Sequence, residues 1–349
     1  MREFMLSLMT DKRKSPVFAP IKSLLYIISL LYGAGLIGRQ LLYKFGIFRS
    51  ERVPLKIISV GNLTLGGTGK TPFVMRLVDI LSEDLEKKAS VLIRGYGWDE
   101  QTMLKRKLAD TPILVGENRA RSAHKAIKLY GSDTAILDDG FQHWELERNI
   151  DIVLIDSRNP FGNGHLFPRG VLREPKSALK RASAVVFTKV DKKNPGFEKM
   201  REDLKKINDG LIFVEAFHKP VHIYDLRARK EHGLDFLKGK RVVLLSSIGD
   251  PDYFAETVRD LGAEIAEHII FADHHNYKEG DVGLVVKRCN ERKFDFILTT
   301  EKDEVKLRRM SLSFGSYPVM TLVIEMEIIS GKELLIDRLR SLYSRQGPK

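Results

Sequence analysis

The chain has 349 residues, 43% of them hydrophobic and 30% charged, which supplies a sizeable core, suggests two domains rather than one and shows no low-complexity tract. A single cysteine, Cys289, excludes an intrachain disulfide; its setting, Lys287-Arg288-Cys289-Asn290-Glu291-Arg292-Lys293, reads as an exposed helix end with no catalytic or metal role. The formal net charge of +12 calls for an acidic partner, which leaves nucleic acid, an anionic membrane surface or a phosphorylated substrate.

The first 52 residues choose among these. Ser23 to Gly38 carries no charge and is bracketed by Lys22 and Arg39, a run shorter than the roughly 20 residues that span a bilayer. The next stretch keeps Leu41, Leu42, Phe45, Ile47 and Phe48 apolar while adding Lys44, Arg49 and Arg52, the pattern of an interfacial helix on anionic lipid. A buried core helix and a short true span remain open. A cleaved secretory signal conflicts with the nucleotide loop that follows.

Lys56-Ile57-Ile58-Ser59-Val60 reads as a buried strand, followed by Gly61-Asn62-Leu63-Thr64-Leu65-Gly66-Gly67-Thr68-Gly69-Lys70-Thr71-Pro72. The glycines let backbone N–H groups face an anion, Lys70 would reach the outer phosphates, and the Thr71 hydroxyl would hold Mg²⁺. Pro72 suits the first helical turn, and Phe73, Leu77, Leu81 and Leu85 form its apolar stripe. Thr64 stands where the pattern G-x-x-x-x-G-K-S/T has its first glycine.

Beyond the loop, 89–93, 112–115, 134–137, 152–155 and 184–187 read as buried parallel strands, so the expected fold is α/β: a P-loop, doubly wound sheet. Ligands of such sheets lie beyond the carboxyl ends of the strands. Asp138-Asp139-Gly140 ends one strand and suits a phosphate-bridging Mg²⁺; Asp156 is a rival without a second acid. Arg94-Gly95-Tyr96-Gly97-Trp98-Asp99-Glu100 ends another with a glycine turn and an acidic pair. Thr188-Lys189-Val190-Asp191 is similar to the guanine-reading Asn/Thr-Lys-x-Asp of P-loop GTPases, which motivates an alternative, a GTP-driven switch or assembly factor. No D-x-x-G switch element sits at a convincing strand end before Thr188. A nucleic-acid-binding ATPase, which the basic charge motivates, is disfavoured because the basic residues are spread over the whole chain without an aromatic-basic motif.

From about Lys219 the pattern restarts. Strands at 241–245, 267–271 and 294–298 indicate a second, smaller α/β domain, bracketed by extended stretches 211–224 and 317–328 that could pair as a ribbon hinge. The expected division is 1–52 membrane-interface helix, 53–218 P-loop core and 219–349 smaller lobe, with residues 344–349 as a frayed tail.

The blocks 59–72, Arg-Gly-Tyr-Gly (94–97), Leu-Asp-Asp-Gly-Phe-Gln-His (137–143), Leu-Arg-Glu-Pro (172–175), Asp-His-His-Asn-Tyr (273–277) and Thr-Glu-Lys-Asp (300–303) occur in this order, and together the chain resembles the tetraacyldisaccharide 4′-kinase (lipid A 4′-kinase) family over nearly its whole length. Even Thr64 is a feature of that family. The resemblance implies a two-lobed, ATP- and Mg²⁺-dependent kinase at the cytoplasmic face of the bacterial inner membrane, with substrate in the cleft. It implies phosphorylation of the 4′-hydroxyl of an acylated diglucosamine 1-phosphate to give lipid IVA, with no nucleic acid and no obligate protein partner.

Carried over by position, Thr64, Leu65, Gly66, Gly67, Thr68, Gly69, Lys70 and Thr71 form the nucleotide loop, and Asp138 and Asp139 match the acidic pair near the metal. Asp99 matches the catalytic acid, although Trp98-Asp99-Glu100-Gln101 departs from the family's Gly-Asp-Glu-Pro and its usual preceding insertion is missing. Glu100 is then a metal or neighbouring group, and His274 the histidine that partners the acid, with His275 leaving the alignment open by one residue.

Overall fold

A computed structural model describes residues 2–95, 97–190, 198–290, 293–310 and 313–344. In chain order the helices and strands are α1 (Arg2–Met9), α2 (Ala19–Lys44), β1 (Lys56–Asn62), α3 (Lys70–Asp79), β2 (Ala89–Ile93), α4 (Trp98–Lys107), β3 (Ile113–Val115), α5 (Arg119–Tyr130), β4 (Thr134–Asp138), β5 (Ile150–Asp156), β6 (Ala184–Thr188), α6 (Glu198–Lys205), β7 (Ile212–Asp225), β8 (Lys230–His232), β9 (Arg241–Ser246), α7 (Pro251–Asp260), β10 (Glu264–Ile270), α8 (Glu279–Asn290), β11 (Phe296–Thr300), α9 (Glu301–Leu307), β12 (Val319–Ser330) and α10 (Lys332–Arg340). They divide into two compact units: 1–94, 111–217 and 328–349 form the first, and 95–110 with 218–327 the second.

In the first unit the strands run in the order β7-β6-β5-β1-β4-β2-β3, all parallel. β2, β4 and β6 are buried throughout and β1 and β5 nearly so, which is why each appears as an apolar run rather than an alternating one. β1 is central, between β4 and β5, so its carboxyl end, the phosphate loop, lies beside those of both neighbours. α3 buries Phe73, Val74, Leu77 and Val78; a π-turn over Ile80–Asp84 then replaces the longer helix expected to reach Leu85.

α2 is one continuous helix of 26 residues, about 39 Å long, and by length and composition alone it could cross a bilayer. It therefore extends well past the charge-free run. Leu25 and Ser29 are buried, whereas Leu24, Ile27, Ile28, Leu30, Leu31 and Ile37 are exposed. Its buried side meets the loop before Arg173: Tyr32 Oη donates to the Arg173 carbonyl at 2.9 Å, and Tyr26 and Tyr32 pack edge-on against His165 and Phe167. Asp11 pins the start of the segment, accepting from Lys22 at 2.5 Å, Asn163 at 2.9 Å and Arg169 at 3.1 Å. Burial opposes charge there, but these donors hold its carboxyl down to about 2.

In the second unit β9 lies between β10 and β11, β11 pairs with β12, all parallel, and β8 pairs antiparallel with the end of β7. The units depart from the sequence boundaries in two places. Residues 95–110, expected with the phosphate-loop core, belong to the second unit because α4 packs on α9, where Arg106 meets Glu304 at 2.6 Å and Lys107 meets Glu301 at 2.7 Å. Residues 328–349 belong to the first, where α10 buries Leu335, Ile336 and Leu339 and Tyr343 Oη lies 2.6 Å from Thr134 Oγ1. β7 and β12, which carry the chain between units, are neighbours in the strand order. Cys289, expected to be exposed, is buried: Val282, Val285 and Cys289 recur at helical spacing along the inward face of α8. The tail at 345–349 lies outside the described residues.

Candidate active site

The phosphate loop is held by β1 behind it, by a short extended segment beside it and by β6. Arg173 N donates to Leu63 O at 2.6 Å, Leu65 N donates to Val171 O at 2.7 Å, and Thr64 bridges Leu172. Thr64 is thus extended and buried, so a threonine serves where the general motif needs a glycine's freedom. Further along, Thr68 Oγ1 accepts from Asn62 Nδ2 at 3.0 Å, and Thr188 Oγ1 donates to the Thr68 carbonyl at 2.9 Å. Gly69 caps α3 with φ 81°, which aims the first turn of the helix back at the loop and places Lys70 and Thr71 at its start.

Lys70 Nζ lies 3.5 Å from Asp139 Oδ1, and Arg173 Nη1 donates to the same carboxylate at 2.8 Å. Gln142 joins them, accepting from Arg173 at 3.3 Å while donating to the Asn62 carbonyl at 3.0 Å. Burial pushes the Asp139 carboxyl up, but Lys70 and Arg173 outweigh it and hold it below its ordinary value. Asp139 is also left-handed, with φ 54°, a conformation uncommon outside glycine and often found at functional turns. Asp138 ends β4 and is buried, and the Arg119 guanidinium donates to its carbonyl at 3.3 Å. Burial pushes Arg119 down to about 10 and His143 down to about 4, so at neutral pH the first stays charged and the second does not.

The guanine-like motif has other work here. Thr188 anchors the phosphate loop, and Lys189 Nζ sits 2.5 Å from Asp156, the rival strand-end carboxylate. Asp191 lies outside the described residues.

The second unit holds the other candidates. Gly97 caps α4 with φ 79°, and a Cβ there would lie 2.7 Å from Asp99 Oδ1 and 3.4 Å from His274 Nδ1. Asp99 is buried, with His274 Nδ1 3.5 Å and Lys306 Nζ 3.2 Å from its Oδ2. Burial raises the Asp99 carboxyl, yet the imidazole and the charges of Lys306 and Lys302 together hold it well below the ordinary carboxylate range. In return Asp99 raises His274, against its own burial. His275 points elsewhere: its Nε2 lies 2.9 Å from Asp281 and its ring stacks on Phe271. Glu100 pairs with Lys302 at 3.2 Å in this unit, whereas Thr71, Asp138 and Asp139 are in the first. Gly97→Ala is expected to lower kcat roughly 10-fold or more, because the methyl displaces the Asp99 carboxylate, and to cost about 1–2 kcal/mol of stability, because an alanine is strained at this positive φ; unchanged kcat would show that the turn tolerates the shift.

Among the described residues no group of three or more His, Cys, Asp or Glu could hold a metal by itself. A nucleotide-borne Mg²⁺ does not require such a group, since it takes one or two protein oxygens and completes its shell with phosphates and water. Thr71 with the Asp138-Asp139 pair offers such oxygens in the first unit; Glu100 belongs to the second unit, where it pairs with Lys302 at 3.2 Å.

Arg173, Arg119 and Lys306 received no role from the sequence. Arg173 lies inside the noted Leu-Arg-Glu-Pro block, and Lys306 lies one helical turn beyond Asp303 of Thr-Glu-Lys-Asp, so flanking positions of both blocks carried the signal.

A glycine-rich loop between a parallel strand and a helix, with the strand-end Asp139 at Lys70, defines a P-loop nucleotide-binding protein. The sequence model of the family LpxK, tetraacyldisaccharide-1-P 4′-kinase, matches residues 21–101 and 98–343. A tetraacyldisaccharide 4′-kinase from Syntrophus aciditrophicus is 36% identical, with 89% of this chain and 90% of the relative covered; one from Halothermothrix orenii is 34% identical over 88% and 89%. The crystal structure of LpxK from Aquifex aeolicus in complex with ATP is similar with TM-score 0.71 and 27% identity, over 93% of this chain and 99% of that one. The chain belongs to the tetraacyldisaccharide 4′-kinase family. The GTP-switch alternative finds no support in these comparisons.

Proposed function

We propose that this kinase transfers the γ-phosphate of ATP to the 4′-hydroxyl of a tetraacyldisaccharide 1-phosphate, with Asp99 as the base. The observation that supports this role is a buried carboxylate held ionised by His274 and Lys306, beside a glycine turn where a Cβ at residue 97 would meet its Oδ1 at 2.7 Å. Lys70 and the loop N–H groups bind the phosphates and stabilise the charge that develops on the transferring group. Thr71, Asp138 and Asp139 would hold Mg²⁺, which when bound neutralises the β- and γ-phosphates. Asp99 accepts the hydroxyl proton, and the His274 imidazole, with Nδ1 3.5 Å from Oδ2, orients the carboxylate. Because Lys70 lies beside Asp139, the same carboxylate steadies the lysine that binds phosphate.

The exposed face of α2 supports seating on a membrane at the cytoplasmic side, where the basic residues meet anionic lipid and the substrate's acyl chains enter. Ile27→Asp with Leu31→Asp changes two exposed positions and leaves Leu25, Ser29 and Tyr32 in place. Binding to anionic vesicles is expected to fall roughly 10-fold or more, with ATP affinity unchanged. Full sedimentation of the variant with vesicles would reject this seating. The reaction itself is tested by phosphate transfer to lipid, described at the end of the Discussion.

A further inference from the structure

Lys306 is an unusual lysine. Its side chain is only 2% exposed, and it lies 3.2 Å from Asp99 Oδ2 and 3.5 Å from Asp303 Oδ1 while donating to Ser247 Oγ at 2.9 Å. A lysine is hardly ever buried unless paired, and here one ammonium serves two buried carboxylates. Asp303 is supplied with donors apart from the lysine: Ser247 N at 2.9 Å, the Ser247 hydroxyl, and Tyr277 Oη at 3.3 Å, with Thr300 Oγ1 at 2.8 Å. Asp99 has far less: among the described residues, Lys306 and the imidazole of His274 are the groups within ion-pair distance. The lysine is therefore more needed by Asp99 than by Asp303. Its ammonium is anchored from behind by Ser247 at the end of β9, over the ring of Tyr277, and so approaches Asp99 from a fixed direction.

We infer that Lys306 is a positioning residue for phosphoryl transfer: held by Asp303 and Ser247, it fixes the direction and the charge of the Asp99 carboxylate opposite His274. This rests on the reading of Asp99 as the base. The neighbouring Lys302 adds charge to Asp99 but does not fix its direction, because Lys302 is engaged by Glu100 at 3.2 Å and Asp273 at 3.4 Å.

A merely structural lysine would serve to neutralise Asp303, and the two roles separate in a pair of variants of the full-length enzyme. Lys306→Met is expected to lower kcat at least roughly 10-fold with ATP KM within about twofold, because the loss falls on the chemical step. Lys306→Met with Asp303→Asn removes the stranded second carboxylate; the melting temperature should recover while kcat stays low. Lys306→Arg, which keeps the charge, should regain part of kcat. Folding is checked by the melting temperature and by ATP binding, and should Lys306→Met alone fail to fold, the double variant and Lys306→Arg carry the test. Wild-type kcat in the double variant would overturn the inference, since Lys306 would then be only a counter-ion to Asp303. Near-normal kcat in Asp99→Asn would instead remove the base reading on which the inference stands, so the two failures are distinct.

Discussion

Lys70→Ala is expected to lower kcat by roughly 10³-fold or more while leaving the fold and melting temperature close to those of the parent, because it deletes the charge that stabilises the transferring phosphoryl group. The fold should survive: the side chain is partly exposed at the start of α3, and its partner Asp139 keeps Arg173 at 2.8 Å. ATP binding should weaken less than turnover, since the loop's backbone N–H groups remain. Steady-state kinetics with a melting curve decide this, and turnover near the parent rate would remove the phosphate-loop assignment.

Asp99→Asn is expected to lower kcat by roughly 10² to 10⁴-fold with little change in ATP KM, because the amide cannot accept the hydroxyl proton. His274→Ala should cost less, as it removes the partner and leaves Lys306 on the carboxylate at 3.2 Å. The double variant should lose little more than Asp99→Asn alone, since groups acting as a unit are not additive. His275→Ala is the control: its ring is held by Asp281 and Phe271, so kcat should stay within about twofold. A larger loss at His275 than at His274 would shift the pairing by one residue, and a near-normal Asp99→Asn would leave Glu100, Asp138 or Asp139 as candidates.

What was legible in the sequence follows from burial. Strands covered on both faces must be apolar along their length, so β1, β2 and β4 to β6 stood out, and the polar residues directly after them marked the phosphate loop and Asp138-Asp139. Partners distant in the chain were not legible. Nothing local to Asp99 announces that α4 packs on α9, because Arg106 and Lys107 find Glu304 and Glu301 about two hundred residues later. The choice between His274 and His275 turns on a left-handed backbone at His274, φ 61°, which sends the two rings in different directions. The reason for Thr64 in the loop is not local either: its extended backbone bridges Leu172, about a hundred residues later. The full length of α2 was hidden because Arg39 and Lys44 interrupt the apolar run without interrupting the helix.

The most direct test incubates the purified full-length enzyme with γ-labelled ATP, Mg²⁺ and a tetraacylated diglucosamine 1-phosphate in detergent or anionic vesicles, then separates lipid from nucleotide. The account predicts label on the lipid at the 4′-position, in proportion to enzyme, dependent on Mg²⁺ and absent with Lys70→Ala. Label released only as inorganic phosphate, or transfer supported by GTP in preference to ATP, would contradict it.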